Sequence, residues 1–207
     1  GIRGFNLTMP NKNKIVELLD ELSPEAQLIG AVNTVLNDNG KLIGYNTDGY
    51  GFMQSVRDAG HDITGKNITV MGVGGASMAI CAQSALDGAA SVHIFARRTS
   101  RYWNRTQKFA ENLSAKTGCQ VCLFDNDDHT ALRDSIAQSY LLINATSVGM
   151  VPDIDDTIIK DTSLFHPELV VADVVYEPQE TRLLREAKAA GCQTFNGMYM
   201  LLHQGAK

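Results

Sequence analysis

Cysteine is scarce in this chain. Cys81, Cys119, Cys122 and Cys192 are the four thiols in 207 residues, too few for a disulfide-stapled scaffold and in keeping with a reducing cytoplasm. Positive charge is short as well. Eighteen Lys and Arg against 23 Asp and Glu leave a formal net charge of -5, the wrong sign for a nucleic-acid surface. No run approaches about 18 consecutive apolar residues, so no membrane span is expected, and the opening residues do not read as a signal peptide. His61, His93, His129, His166 and His203 show no metal-ligand spacing, so no metal is expected. Internal repeats and low-complexity tracts are missing too. What remains is an ordinary globular composition, 44% hydrophobic and 20% charged, enough for one large domain or two small ones.

Cys119 and Cys122 form a C-x-x-C. They fall in a strand-like run, CQVCLF, whereas redox pairs open helices, and no second C-x-x-C or His pair completes a zinc site. A structural role is expected.

Two patterns divide the chain. In the first 60 residues, strands are expected at 4–8, 31–37 and 41–46. Asp38-Asn39-Gly40 joins the last two as a hairpin, because Asn-Gly tolerates positive φ. A helix is expected over 10–22, with Pro10 at its first position and Ile15, Leu18, Leu19 and Leu22 as its apolar face. A second helix is expected over 49–59, closed by Gly60. From Lys66 onward strands and helices alternate. Strands read at 67–71, 91–95, 119–124, 140–144 and 169–174, and helices at 77–87, 102–117, 128–138 and 179–190. A last strand at 193–196 precedes a terminal helix. This alternation implies a parallel sheet covered on both faces. The linker falls at 61–67, dividing 1–62 from 63–207, with the final helix returning toward the first part. Both ends read as cut, Gly1 just before a core strand and Lys207 within a helix.

The strand at 67–71 runs directly into Gly72-Val73-Gly74-Gly75-Ala76-Ser77 and then a helix. The first glycine permits a tight turn, and the later ones let backbone amides approach a pyrophosphate at the helix N-terminus. The fold class is therefore α/β, a Rossmann-type doubly wound parallel sheet plus a smaller, incomplete N-terminal α/β part. An NAD enzyme usually carries Asp or Glu at the end of the next strand. Here Ala96-Arg97-Arg98-Thr99 stands there. Arg97 and Arg98 suit the 2′-phosphate of NADP. The other reading is a solvated basic loop, which leaves NAD open.

Several motifs resemble those of the shikimate dehydrogenase family. Asn6-Leu7-Thr8-Met9-Pro10-Asn11-Lys12 is similar to N-V-T-x-P-x-K, and Gly30-Ala31-Val32-Asn33-Thr34 to G-A-V-N-T. Gly44-Tyr45-Asn46-Thr47-Asp48 with Gly51 and Phe52 resembles G-x-N-T-D-x-x-G-F. Asn144 to Met150, Asp173 to Leu184, and Gly197 with Met200, Leu201 and Gln204 resemble the family's later motifs. With the glycine loop, the matches run in family order over nearly the whole chain. The resemblance implies an NADP-dependent oxidoreductase interconverting shikimate and 3-dehydroshikimate, a cytoplasmic enzyme with a small-molecule partner and a monomeric or homodimeric state. It implies that Lys12 and Asp48 are the catalytic pair. It also implies that Asn6, Thr8, Asn33, Tyr176 and Gln204 hold the substrate. Gly72, Gly74, Gly75, Ala76, Ser77, Arg97, Arg98, Thr146 and Gly197 would contact the cofactor. Asn46 and Thr47 are expected to shape the loop.

The proposed pair has a chemical reason to exist. Oxidising a secondary alcohol removes hydride from carbon and a proton from oxygen, and a Lys–Asp pair can carry that proton and stabilise developing alkoxide charge. Within the expected helix, Lys12 would sit in the first turn, where the dipole disfavours a cation by ~0.3–1 kcal/mol. Singly, each residue has a plainer reading: Lys12 a solvated lysine, Asp48 a helix N-cap, Asn33 a partner for strand-end backbone groups. Three departures from the family stand out. Its upstream Ser-x-Ser segment is absent here, which would leave the first sheet with open edges. Ala96 replaces an Asn common after the second strand, and Tyr199 stands where Gly is frequent and could cover the nicotinamide. Two other functions compete: a quinate/shikimate dehydrogenase using NAD or NADP, and a nucleotide-binding regulatory protein on the same fold. A sensor would need no Lys12–Asp48 proton relay.

Overall fold

The computed structural model describes residues 1–8 and 10–207; Met9, in the first motif, lies outside the described residues. Two sheets organise the chain. The first holds β1 (Gly4–Asn6), β2 (Glu21–Leu22), β3 (Thr34–Asp38) and β4 (Lys41–Tyr45), in the order β1-β3-β4-β2. β3 and β4 form the expected hairpin. Asn39 at φ 53° and Gly40 at φ 100° make its two-residue turn, the conformation this dipeptide adopts at little cost. β1 lies at the sheet edge with all three residues exposed.

The second sheet holds β5 (Asn67–Met71), β6 (Ser91–Ala96), β7 (Gln120–Asp125), β8 (Leu141–Asn144), β9 (Val170–Asp173) and β10 (Gln193–Phe195). Its order is β10-β9-β8-β5-β6-β7 and every pairing is parallel. This is the doubly wound order, with its switch point between β5 and β8. β8 and β9 are buried along their whole length, as strands covered on both faces must be.

Seven α-helices connect and cover these strands among the described residues: α1 (Pro24–Ile29), α2 (Asp48–Asp58), α3 (Gly75–Leu86), α4 (Trp103–Thr117), α5 (His129–Gln138), α6 (Arg182–Ala189) and α7 (Met198–Ala206). The largest core joins Ile68 and Ile143 of the second sheet to Ile80 of α3 and to Phe52, Met53 and Val56 of α2. It therefore runs across the expected 62/63 division. A second core on the other sheet face includes Phe95, Leu142, Val171 and Leu183. A small third one, around Ala26, Val32 and Val35, supports the first sheet.

Backbone contacts lock α2 in place. A Cβ on Gly49 would lie 2.3 Å from the Ala79 carbonyl oxygen of α3, and one on Gly51 2.6 Å from that of Met200 in α7.

The helix expected over 10–22 is not formed. Residues 10–14 make turns, with the Asn11 and Lys14 amides donating to Thr8 and Asn11 carbonyls at 3.0 Å. A 3-10 turn follows at Ile15–Leu18, then β2. Two forces win over the apolar spacing. The Lys12 carbonyl accepts the Val32 amide at 2.8 Å and the Asp20 amide donates to the Leu42 carbonyl at 3.0 Å, so main-chain groups that a helix would use pair with other segments. Leu19 and Leu22 pack over Gly44, where a Cβ would come within 2.5 Å of the Leu19 side chain. The helix begins instead at Pro24, where the Ser23 hydroxyl accepts the Ala26 amide at 3.2 Å, and it ends at left-handed Gly30. Ser23-Pro24-Glu25 carried that start signal in the sequence.

The C-x-x-C is held by the sheet. Cys119 is buried just before β7, and burial pushes its thiol up to about 11, the opposite of an activated redox thiol.

Candidate active site

Polar groups from four distant segments meet where β4 passes into α2. Asn46 shapes this corner: its amide donates to the Ala31 carbonyl at 3.1 Å and its oxygen accepts the Asp48 amide at 3.2 Å. Thr47, not Asp48, occupies the N-cap. The N-cap reading of Asp48 is thereby corrected, and its carboxylate is free to reach elsewhere. One oxygen lies 2.6 Å from Lys12 Nζ, and the other accepts from Asn33 Nδ2 at 2.9 Å.

Lys12 sits in the turns after β1, its carbonyl accepting the Val32 amide at 2.8 Å. No α-helix begins there, so the expected dipole penalty falls away. The two side chains keep only 21% and 11% of their surface. Such a pair is less screened than a surface salt bridge, yet Lys12 remains within reach of a ligand.

Asn33, buried in the loop before β3, is the hub. Its amide lies within reach of Asp48 Oδ1 and Thr47 Oγ1 at 2.9 Å and of Gln204 Oε1 at 3.2 Å, so two hydrogens serve three acceptors. Its carbonyl accepts the Thr47 amide and the Thr34 hydroxyl, and Asn6 in turn donates to Thr34. Gln204 comes from α7, more than 150 residues away. The Thr47 hydroxyl donates to the Gln204 main-chain carbonyl at 2.8 Å. Thr47 thus does more than shape its loop. Thr8 is exposed beside this cluster, its carbonyl accepting the Asn11 amide.

A separate cleft of about 1390 Å³ opens beyond the carboxyl ends of β5, β6, β8 and β9, where an open α/β sheet holds its ligand. Its walls include residues 72–76, Ala96, Arg97, Thr146, and Val174 to Glu177. Gly72 has φ 111° and approaches Thr146 so closely that a Cβ would lie 2.8 Å from its methyl. The fold itself requires that glycine. A Cβ at Gly74 or Gly75 would meet nothing. Their bareness leaves room for a ligand at the free amides of Gly75, Ala76 and Ser77, the first residues of α3. The residues present therefore fit a dinucleotide.

Three expected contacts, Arg98, Gly197 and Tyr176, lie elsewhere, and Ser77 keeps only its main-chain amide for a ligand. The Ser77 hydroxyl turns inward, donating to the Gly72 carbonyl at 2.6 Å. Arg98 stacks on Trp103, 4.6 Å above the ring centroid, outside the cleft lining. Arg97 lines the cleft together with Arg101, which sequence reasoning missed although it follows in the same basic run. Gly197 does not line the cleft: a Cβ there would lie 2.1 Å from the Val174 carbonyl oxygen, so its bareness serves packing behind the wall. Tyr176, expected at the substrate, lies in the wall of this cleft. Tyr199 is 59% exposed and stacks with His203 outside that wall, so it does not cover it.

Comparison with known proteins gives three kinds of match. Residues 1–35 match the family model described as the shikimate dehydrogenase substrate binding domain. The chain is 51% identical to the NADP(+) shikimate dehydrogenase of Listeria innocua over 206 residues, covering 100% of this chain and 70% of that protein. It is 43% identical to the quinate/shikimate dehydrogenase of Escherichia coli, covering 100% and 71%. Among solved structures, shikimate 5-dehydrogenase from Listeria monocytogenes in complex with shikimate and NAD superposes with a TM-score of 0.96 at 50% identity, covering 99% of this chain and 71% of that one.

Proposed function

The chain belongs to the shikimate dehydrogenase family, and from that premise we propose that it interconverts shikimate and 3-dehydroshikimate with NADP, Lys12 and Asp48 handling the proton. One observation carries this reading: a cation and a carboxylate 2.6 Å apart, the carboxylate held by buried Asn33, which Gln204 of α7 contacts in turn. The nicotinamide cofactor supplies the hydride acceptor and donor. In the oxidative direction the substrate hydroxyl gives its proton to the Lys12–Asp48 unit as the carbon loses hydride. In reduction the same unit returns the proton to the carbonyl oxygen. Lys12 stabilises negative charge on that oxygen, and Asp48 holds the ammonium in line. Asn33, Gln204, Asn6 and Thr8 offer amides and hydroxyls for the ring substituents.

The free amides of residues 75–77 would hold the pyrophosphate, and Arg97 would pair with the 2′-phosphate. Arg101 supports NADP over NAD for the same reason. The likeness to the Escherichia coli quinate/shikimate enzyme supports a second reading with quinate and either cofactor. Among the described residues no helix is long and apolar enough to cross a membrane, and none of the His, Cys, Asp or Glu clusters could hold a metal ion.

Initial rates with shikimate and quinate, each with NADP and NAD, test the proposal. Shikimate with NADP should turn over fastest. Faster turnover of quinate with NAD would replace the first reading with the second. NADP binding with no turnover of either acid would point to the regulatory alternative.

A further inference from the structure

Among the described residues, Asp173 is the one acidic residue with no accessible surface, and the proposed reaction leaves it unused. It ends β9 directly opposite Asn144, which ends β8. Its Oδ1 accepts the Val175 amide at 2.9 Å and Asn144 Nδ2 at 3.0 Å, while Oδ2 accepts the Thr181 hydroxyl at 2.8 Å. Asn144 extends the network into the next loop. Its carbonyl accepts the Thr146 amide and hydroxyl at 3.1 and 2.6 Å, and its amide also donates to the Val148 carbonyl at 3.1 Å.

Neither Asp173 nor Asn144 lines the cleft, yet each fixes a segment that does: residues 145–148 after β8 and 174–177 after β9. In a doubly wound sheet the adenosine half lies over the first strands, here β5 and β6, and the other nucleotide crosses the switch point toward β8 and β9. We propose that Asp173 is a positioning residue for the nicotinamide half of the cleft, holding the two loops that would carry the ring in one fixed relation. This rests on the cofactor reading above.

A carboxylate is an expensive choice for such a place. Burial pushes its pKa up, against the pull of three hydrogen bonds. An apolar residue would pack there without that cost, but it could not hold two loops and the Thr181 hydroxyl at once. The network also reaches α7. Gly197 leans on the Val174 carbonyl that Asp173 helps to place, and the helix beginning at Met198 delivers Gln204 to Asn33.

The test compares two ligands that differ only in the ring: NADP+ and 2′-phospho-ADP-ribose, which lacks nicotinamide. Calorimetric titration of the chain with each, for wild type, Asp173→Leu and Asp173→Asn, separates a local effect from general unfolding. Asp173→Leu should weaken NADP+ by about tenfold or more and leave 2′-phospho-ADP-ribose within about twofold, as expected when a supporting shell is lost on one side of a site. Asp173→Asn keeps an oxygen for Val175 and Asn144 and should give a smaller shift in the same direction. Where Asp173→Leu does not fold, the Asn variant decides by the same criterion. Equal weakening of both ligands, or no selective loss of NADP+, overturns the inference. If wild type binds neither ligand, the cofactor reading itself has failed and takes this one with it.

Discussion

The proposed catalytic cluster and the proposed dinucleotide cleft are built from different materials. Around Asp48 the working groups are side chains, drawn from a turn, a loop, a helix start and the terminal helix. Across the cleft floor they are main-chain amides and bare glycines on one strand–loop–helix, with guanidinium groups at one end. The first kind of site depends on particular atoms being present. The second depends on atoms being absent. Substitution should therefore injure the two in opposite ways.

The largest effect is expected at the pair. Lys12→Ala or Asp48→Asn should lower kcat by about 10²–10⁴-fold while the NADP+ dissociation constant measured by titration stays near wild type. A matching loss of cofactor affinity would break the distinction between the regions.

Glycine variants probe the cleft. Gly75→Val adds atoms where nothing now lies within 4 Å, so thermal stability should hold while NADP+ affinity drops by about tenfold or more, because the pyrophosphate loses its close approach. Gly72→Ala meets Thr146 and needs a backbone at φ 111° that alanine resists. It should cost about 1–3 kcal/mol of stability, read from denaturant unfolding. Equal behaviour of the two variants would contradict the division between ligand-serving and fold-serving glycines.

The arginines sharpen the comparison further. Arg101→Ala should weaken NADP+ by about tenfold and leave NAD+ unchanged, since a charge-assisted bond is worth ~1.5–3 kcal/mol. Arg98→Ala, which removes only a stack on Trp103, should change either affinity little. The reverse ranking would restore Arg98 to the cleft.

The smallest effect is a pH dependence. His61 and His93 both have pKa values lowered from 6.5, chiefly by burial. His61 bonds to the Tyr140 hydroxyl at 2.8 Å and His93 to that of Ser135 at 2.8 Å. Folding favours their neutral forms, so their contribution is present above the ordinary histidine range and fades as pH falls through the lowered values. Unfolding midpoints measured from pH 7.5 down to about 5 should drop, and His61→Gln should flatten part of the slope. An unchanged slope in His61→Gln and in the matching His93→Gln would exclude the two histidines as its source.

Much of the second sheet was legible in the sequence because each strand is a short apolar run between turn residues. The glycine loop was legible because a strand and a helix flank it. Residues 10–22 were not. Their leucine spacing fits a helix equally well, and the packing of Leu19 and Leu22 over Gly44, with the main-chain bonds of Lys12 to Val32 and Asp20 to Leu42, makes them turns and a strand. The orientations of Ser77 and Arg98 were not legible, because a motif names a position but not the direction its side chain takes: the Ser77 hydroxyl bonds the Gly72 carbonyl and Arg98 stacks on Trp103.

By itself the sequence determined the alternating α/β pattern, the hairpin at Asn39-Gly40 and the strand–glycine-loop–helix at 72–77, which follow from local rules of period, turn conformation and helix termini. The proposed pair Lys12 and Asp48 came instead from the family resemblance. Only the tertiary structure decided that Asn33, Thr47 and Gln204 join that pair, that Arg101 rather than Arg98 reaches the cleft, and that Asp173 ties its far loops together. The bonds of the Asn33 hub join residues from 14 to 171 positions apart, where no local spacing constrains the geometry and packing chooses which side chains meet.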